Sequence, residues 1–568
     1  MNHFWKTNKR RRKEFVLWIL YLFSAELLIL FPVHLKYEYN PIESISIFNN
    51  SLPFFAVLYF IFLSSFFLLI LSKRKNLSLY TGVVLIVIFM IVFLDFRIFK
   101  NHLGLIGDGW YNKAHVELIL SKGKFPSDSP EFGYFQFPAL HIFAASLFAI
   151  SGFQNYPLLE VLLSILLTVF IYLLYSKWLN QNQFLALLGS LLVIHGSDAL
   201  YANNFFFPTN FGLLLLMILM FMREISEKWE GRLLCILIFT SLVMTHFISS
   251  LNFLFILLGL LLINMFMRLK FIEPVLLPIS LIIFLAWQLW LAEINFRNIV
   301  YIGSQIIEEL AGTREYAWII LERNLKALPY WAQVIRIFWI IFIYGLGGIL
   351  VAQRFFKIKN TSNLEIKNMG VLIGIICMGI LVIAVSGKGF EFLRGLAYVP
   401  FFIIPFIVRY LNLRDLRFKT LTICLILILL FSFPTFLVRN SRVCLYSTYP
   451  SEVSVANFFK QNIRGIPSIY TSSGSAYLFK TYLLDSRIKS EGDVYTQQSL
   501  EENLAKLIND FQNDGLGNEI FLYSPRFIVG YQHLLGLDPQ DPKWNKLLSK
   551  LENSNCIFSN GFVKIFHP

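Results

Sequence analysis

Phe137-Pro138-Ala139-Leu140-His141-Ile142-Phe143-Ala144-Ala145-Ser146-Leu147-Phe148-Ala149-Ile150-Ser151 is the stretch that decides how this chain is threaded. It is apolar but short. At about 1.5 Å of rise per residue it falls short of the roughly 30 Å of a bilayer's hydrocarbon core. Read as a re-entrant or interfacial helix on the outer leaflet, it keeps all the basic clusters of the chain on one side. Read as a short span in locally thinned bilayer, it moves Lys177 and every later basic cluster to the other side. The charges favour the interfacial helix over 137–151.

The surrounding composition makes the membrane question central. Of the 568 residues 56% are hydrophobic and 17% aromatic, and the mean hydropathy is +0.62, too apolar for a chain whose surface is hydrated. The formal net charge of +14 would suit a nucleic-acid partner only if the cations shared one surface. They fall instead in short clusters between apolar runs, so the excess reports topology and no nucleic-acid partner is expected. The run after Lys9-Arg10-Arg11-Arg12-Lys13 has the charge pattern of a signal peptide. It is long enough to span and lacks a small-residue cleavage site, so it reads as a retained anchor.

Runs able to cross the bilayer occur near 15–33, 53–71, 79–99, 157–175, 184–201, 205–222, 232–247, 250–267, 274–291, 332–353, 368–386, 395–411 and 419–438. The expected fold is therefore an α-helical polytopic membrane protein of about thirteen spans. Lys73-Arg74-Lys75, Lys177, Arg223, Arg268 and the clusters 354–367 and 409–419 all fall on the N-terminal side, which the positive-inside rule makes cytoplasmic. Two outward loops, 100–136 and 292–330, are much longer than the rest, and long loops concentrate function.

After Val438 the pattern becomes polar, which divides the chain into a membrane domain, 1–438, and an extracytoplasmic α/β domain, 439–568. Helices are expected from Ser451 to Phe459 and from Leu500 to Phe511, and a strand from Ile466 to Thr471. Cys556 to Phe566 reads as a hairpin turning on Asn560-Gly561, a pair that supplies the positive φ angles of a two-residue turn. Cys444 and Cys556 flank this tail and are candidates for a disulfide if it meets an oxidising medium.

Candidate site residues collect at outer ends. Gly107-Asp108-Gly109-Trp110-Tyr111-Asn112-Lys113-Ala114-His115 puts a carboxylate between two permissive glycines soon after a span, with His115 seven residues on and roughly on the same helical face. The plain alternative for Asp108 is a helix N-cap. His195-Gly196-Ser197-Asp198 places an ionisable pair at the lipid boundary, where such groups face a polar cavity or the bundle interior, with interfacial snorkelling as the plain alternative. His246, in another outer turn, reads as a helix-packing donor. In Gly387-Lys388-Gly389-Phe390-Glu391-Phe392-Leu393-Arg394, the two cations suit a lipid phosphate, generic headgroup contact, or an Arg394–Glu391 pair.

An outward loop bearing an acid, a short apolar segment introduced by Gly133-Tyr134-Phe135-Gln136-Phe137-Pro138-Ala139-Leu140-His141, and many spans together resemble the GT-C superfamily of membrane glycosyltransferases. The resemblance covers most of residues 100–411, and the tail is similar to the outer domain many members carry. It implies that Asp108 matches the catalytic acid of the first loop and Asp198 a second acid at an outer helix end. Arg394 matches a late basic residue set against the donor's phosphate. It implies glycosyl transfer from a polyprenyl-phosphate-linked sugar to an extracytoplasmic acceptor, be it glycan, lipid or protein. Asp108 would act as general base, with Lys388 and Arg394 on the leaving phosphate and His115 and His195 at the substrate. A divalent cation, Mg2+ or Mn2+, on Asp108 and Asp198 is compatible with hard oxygen ligands. Two departures stand out: two extra spans precede the first long loop, and the tail lacks the Trp-Trp-Asp-Tyr-Gly motif of protein-glycosylating oligosaccharyltransferases, its only tryptophan being Trp544. A transporter or flippase of a lipid-linked sugar, or a non-catalytic assembly protein, is the competing reading. The first of these predicts ionisable groups at the midplane and repeats, neither of which the sequence displays.

Overall fold

Long uninterrupted runs of Leu, Ile, Phe and Val satisfy their own backbone only as helices when no water is at hand, and every apolar run up to residue 411 is helical in the computed structural model. The structure describes residues 2–30, 52–72, 77–98, 108–123, 137–196, 208–225, 229–267, 276–292, 330–356, 363–386 and 398–413. It also describes a few positions between 431 and 458 and five strands beyond them. The helices are α1 (Asn2–Leu30), α2 (Leu52–Ser72), α3 (Leu79–Ile98), α4 (Asp108–Lys122), α5 (Ala139–Ser151), α6 (Tyr156–Trp178) and α7 (Gln183–Gly196). After them come α8 (Pro208–Ile225), α9 (Trp229–Val243), α10 (Phe247–Met267), α11 (Leu276–Ala286), α12 (Tyr330–Ile340), α13 (Gly347–Phe356), α14 (Asn363–Ser386) and α15 (Val399–Leu413). A π-helical turn, Ile341–Leu346, joins α12 to α13.

Among the described residues four segments, Phe54–Ser72, Tyr156–Trp178, Phe247–Met267 and Ile337–Phe356, are long and apolar enough to cross a bilayer. Their outward residues, such as Phe54, Leu162, Phe266 and Ile349, are apolar and exposed, as a lipid-facing surface requires. The run 419–438 lies almost wholly outside the described residues. α5 has 13 residues, about 20 Å of helix. It stops at Gly152, whose left-handed φ of 66° lets its N–H bond back to the carbonyl of Phe148.

Packing inside the bundle relies on small residues and on hydroxyls aimed at carbonyls. α10 and α14 touch backbone to backbone: a Cβ on Gly259 would stand 2.6 Å from the Gly374 nitrogen, so only glycine fits the crossing. Pro405 lies inside α15 and has no N–H for the carbonyl of Phe401. The Tyr175 hydroxyl of α6 donates to that carbonyl at 2.6 Å, so the proline that breaks one helix's ladder fixes its neighbour in place. At the end of the bundle where the basic clusters lie, Lys367 Nζ meets Glu224 Oε2 at 2.5 Å and Arg409 Nε meets Glu365 Oε1 at 3.0 Å. These pairs tie α8 to α14 and α14 to α15, with all four groups mostly buried.

In the C-terminal part five strands, β1 (Ser468–Thr471), β2 (Arg487–Ser490), β3 (Glu519–Tyr523), β4 (Asn555–Ser559) and β5 (Lys564–His567), form one sheet in the order β2-β1-β3-β5-β4. β1 pairs in parallel with both β2 and β3, whereas β5 pairs antiparallel with β3 and β4. Parallel neighbours need crossover connections, and 472–486 and 491–518 are long enough to make them. The expected strand at Ile466–Thr471 is β1, shortened at its start. The expected hairpin is β4–β5, with one correction. Ser559 pairs with Lys564, a register that a two-residue turn on Asn560-Gly561 does not give, and the ladder shifts between Cys556 and Phe558; residues 560–563 lie outside the described residues. Of the expected helix 451–459 only Val455 and Phe458 are described, both helical, while the expected helix 500–511 and Cys444 lie outside the described residues.

Tyr175→Phe should remove one hydroxyl and leave the Phe401 carbonyl bare in an apolar setting. A loss of about 1–3 kcal/mol is expected, read as a lowered thermal unfolding midpoint in detergent.

Candidate functional site

The first long loop folds back as α4, whose first residue is Asp108. The side chain of Asp108 lies outside the described residues, so neither the base nor the capping alternative is decided by it. Its helical position is fixed. Asn112 follows after about one turn and His115 after about two, which places all three on one face. That face packs on α5. Asn112, His115 and His141 are almost fully buried, and His141 Nε2 donates to Asn112 Oδ1 at 2.9 Å. With Nε2 carrying the proton, Nδ1 of the neutral ring is an acceptor, and it has no hydrogen-bond partner among the described residues. The His115 ring meets the His141 ring edge to face, centroids 5.0 Å apart. On the outer side of α4, Lys113 pairs with Glu117 at 3.4 Å and sits 5.6 Å from the Tyr156 ring centroid.

A second polar group adjoins α5. The Ala139 N–H donates to the carbonyl of Met244 at 3.1 Å, so the start of α5 is tied to the turn between α9 and α10. In that turn His246 Nδ1 accepts from the Ser249 N–H at 3.2 Å, which makes Nε2 the protonated nitrogen. The remaining partners are then assigned. Nε2–H donates to Thr209 Oγ1 at 3.1 Å, the Ser249 hydroxyl donates to Nδ1 at 2.9 Å, and the Tyr398 hydroxyl donates to Ser249 Oγ at 2.7 Å. Thr209 opens α8, just after segment 197–207, and Tyr398 precedes α15, just after segment 387–397. One hydrogen-bonded belt therefore joins α4, α5, the α9–α10 turn, α8 and α15 at the same end of the bundle.

His195 is placed differently. Near the end of α7 it is buried among Phe89, Phe93 and Trp339. Its Nδ1 donates to the Leu191 carbonyl at 2.7 Å and its Nε2 accepts from the Ser432 hydroxyl at 2.6 Å, with Tyr59 3.3 Å from Ser432. Both nitrogens are engaged by the bundle itself. Asp198, Lys388 and Arg394 lie outside the described residues. Sequence reading did not single out Asn112, His141 or Tyr398, and it named Ser249 only as part of the outer turn with His246. The spacing Asp108 to Asn112 and the position of His141 just after Pro138 were the available signals. Among the described residues no group of three or more His, Cys, Asp or Glu side chains converges as a metal site would.

No protein-family profile matches the chain. No curated protein matches it by sequence. By structure it is similar to the Archaeoglobus fulgidus oligosaccharyltransferase. The apo form matches with a TM-score of 0.52 at 12% identity over 82% of this chain and 71% of that one. The same enzyme tethered with an acceptor peptide gives 0.50 at 12% identity over 85% and 73%. ArnT from Cupriavidus metallidurans, bound to undecaprenyl phosphate, aligns with a TM-score of 0.48 at 11% identity over 86% and 97%. The described helices thus share the fold of that oligosaccharyltransferase.

Burial pushes the imidazolium pKa of His115 from 6.5 down to about 4, and that of His141 down as well, burial leading and the charge of His115 adding to it. Lys113, Glu117 and Tyr156 are the other described ionisable groups around this contact. Because the unfolded or undocked histidine takes up a proton below 6.5 and the packed one does not, the contact is fully stable above pH 6.5 and weakens as pH falls toward 4. Protection of the α4 amides, taken relative to their intrinsic exchange at each pH, should therefore be high at pH 7 and lower at pH 5. Equal protection at both values would contradict the burial of neutral rings.

Proposed function

We propose that the chain is a membrane glycosyltransferase that moves a sugar from a polyprenyl-phosphate-linked donor to an acceptor outside the membrane. The observation that carries the reading is the belt. It fastens the helix opening at Asp108, and the helices that follow segments 197–207 and 387–397, to one end of a bundle with the fold of an oligosaccharyltransferase. In this reading about thirteen spans place the N-terminus in the cytoplasm, 137–151 lies along the outer leaflet, and 439–568 is an extracytoplasmic α/β domain. The exposed flank of α5, with Ile150 and Phe153 outermost, supports contact with lipid.

A carrier lipid cannot leave the bilayer, so carboxylate and cations have to meet it at headgroup depth. Asp108 deprotonates the acceptor hydroxyl as it attacks the anomeric carbon. The bond from that carbon to phosphate breaks, and Lys388 and Arg394 stabilise the negative charge gathering on the leaving phosphate. A divalent cation on Asp108 and Asp198 belongs to the same proposal. Their acid oxygens suit a hard ion, which would supply further stabilisation of negative charge. His195 acts in this scheme from behind, by filling the wall of the bundle. The missing Trp-Trp-Asp-Tyr-Gly motif argues for an acceptor other than the protein sequon.

The test is transfer in proteoliposomes from polyprenyl-phosphate sugars. Asp108→Asn should lower kcat by about 10²–10⁴ while leaving the protein folded and donor lipid bound. Transfer at the wild-type rate would remove Asp108 from the reaction.

A further inference from the structure

Resting on the reading of Asp108 as general base, we propose that His141 is a positioning residue. Through its hydrogen bond to Asn112 it sets the first turn of α4, and with it Asp108, at the reaction centre.

Four observations lead there. Asn112 and Asp108 belong to one continuous helix and are about a turn apart, so any rotation or slide at Asn112 is carried to Asp108. Both partners of the bond are 0% exposed, so water does not compete for it. His141 is itself held. α5 begins two residues earlier with the Ala139 N–H on the Met244 carbonyl, Phe143 stacks on Phe211 of α8 at 5.0 Å, and Phe148 meets Tyr156 edge to face at 4.8 Å. The contacts of Lys113 on the other flank of α4 are looser: it pairs with Glu117 within the helix and lies 5.6 Å from the Tyr156 ring centroid, which sets rotation less closely than a directional 2.9 Å bond. An apolar contact at this place would hold α4 as firmly, but only a directional bond fixes its rotation. His141 is too buried to touch substrate, so its effect reaches the chemistry through α4 alone.

The experiment compares full-length variants in proteoliposomes with a polyprenyl-phosphate sugar as donor. His141→Phe keeps the ring and its packing on His115 but deletes the donor. It should lower kcat by about ten- to a hundredfold with KM for the donor lipid within about twofold, since a misplacement of about an ångström costs that much. His141→Gln retains an N–H near the Nε2 position and should stay within about threefold of wild type. The double variant Asn112→Leu with His141→Phe removes both polar groups, so its thermal stability should recover while its kcat stays low. Wild-type kcat in His141→Phe, or recovery of stability and kcat together in the double variant, would overturn the proposal. Asp108→Asn is run alongside. If it is inactive and His141→Phe is fully active, positioning fails and the general base stands. If Asp108→Asn is itself fully active, the base assignment falls and this inference falls with it.

Discussion

Hydrocarbon offers a peptide group no water to bond to, and that constraint governs how the polar atoms of this chain are used. Most hydroxyls in the helices are turned back on carbonyls. Ser24 bonds Leu20, Thr168 bonds Ser164 and Ser190 bonds Ala186, each closing a local bond inside its own helix. A few reach across. Tyr21 donates to the Leu85 carbonyl, joining α1 to α3, and Tyr175 caps the carbonyl that Pro405 leaves open. Directional bonds of this sort specify which helix lies beside which, whereas aliphatic packing alone is nearly indifferent to neighbour identity when lipid is as apolar as Leu.

The two ends of the bundle solve the problem in different ways. At one end full charges face each other, with Glu224 and Glu365 answering Lys367, Arg409 and Arg354. At the other, the described network is made of neutral groups: imidazoles, hydroxyls, an amide and free backbone positions. Neutral groups leave the local field to whatever ionic groups the adjoining segments bring. A site that must stabilise a growing charge gains from such a frame, since its own ions then dominate.

How much of this was readable beforehand depends on the length of the pattern. The helices were legible because unbroken apolar runs admit one answer, and β1 and the β4–β5 hairpin because alternation and Asn-Gly mark them. The pairing of Ser559 with Lys564 was not legible, because the ladder shifts between Cys556 and Phe558, a local adjustment that turn propensity alone does not register. Of the candidate residues, His115 was found by helical spacing from Asp108. His141 and Asn112 were not, because their pairing is a tertiary fact: two polar residues 29 positions apart, each unremarkable in its own segment. His246 is the helix-packing donor that its sequence suggests, though its partners were not legible. A lone histidine shows its value only when Thr209, Ser249 and Tyr398 arrive around it. His195 read as facing a polar cavity or the bundle interior, and the interior is where Leu191 and Ser432 engage it.

The bond from Ala139 to Met244 also bears on synthesis. α5 emerges from the ribosome about a hundred residues before the turn that holds it, during which α6 to α9 are made. Until Met244 arrives, the α4–α5 hairpin has no anchor in that turn, and its buried histidines are without that support. The contact of α5 with that turn is thus completed only after the four helices that follow α5 in the chain, on a platform that did not exist when α5 was made.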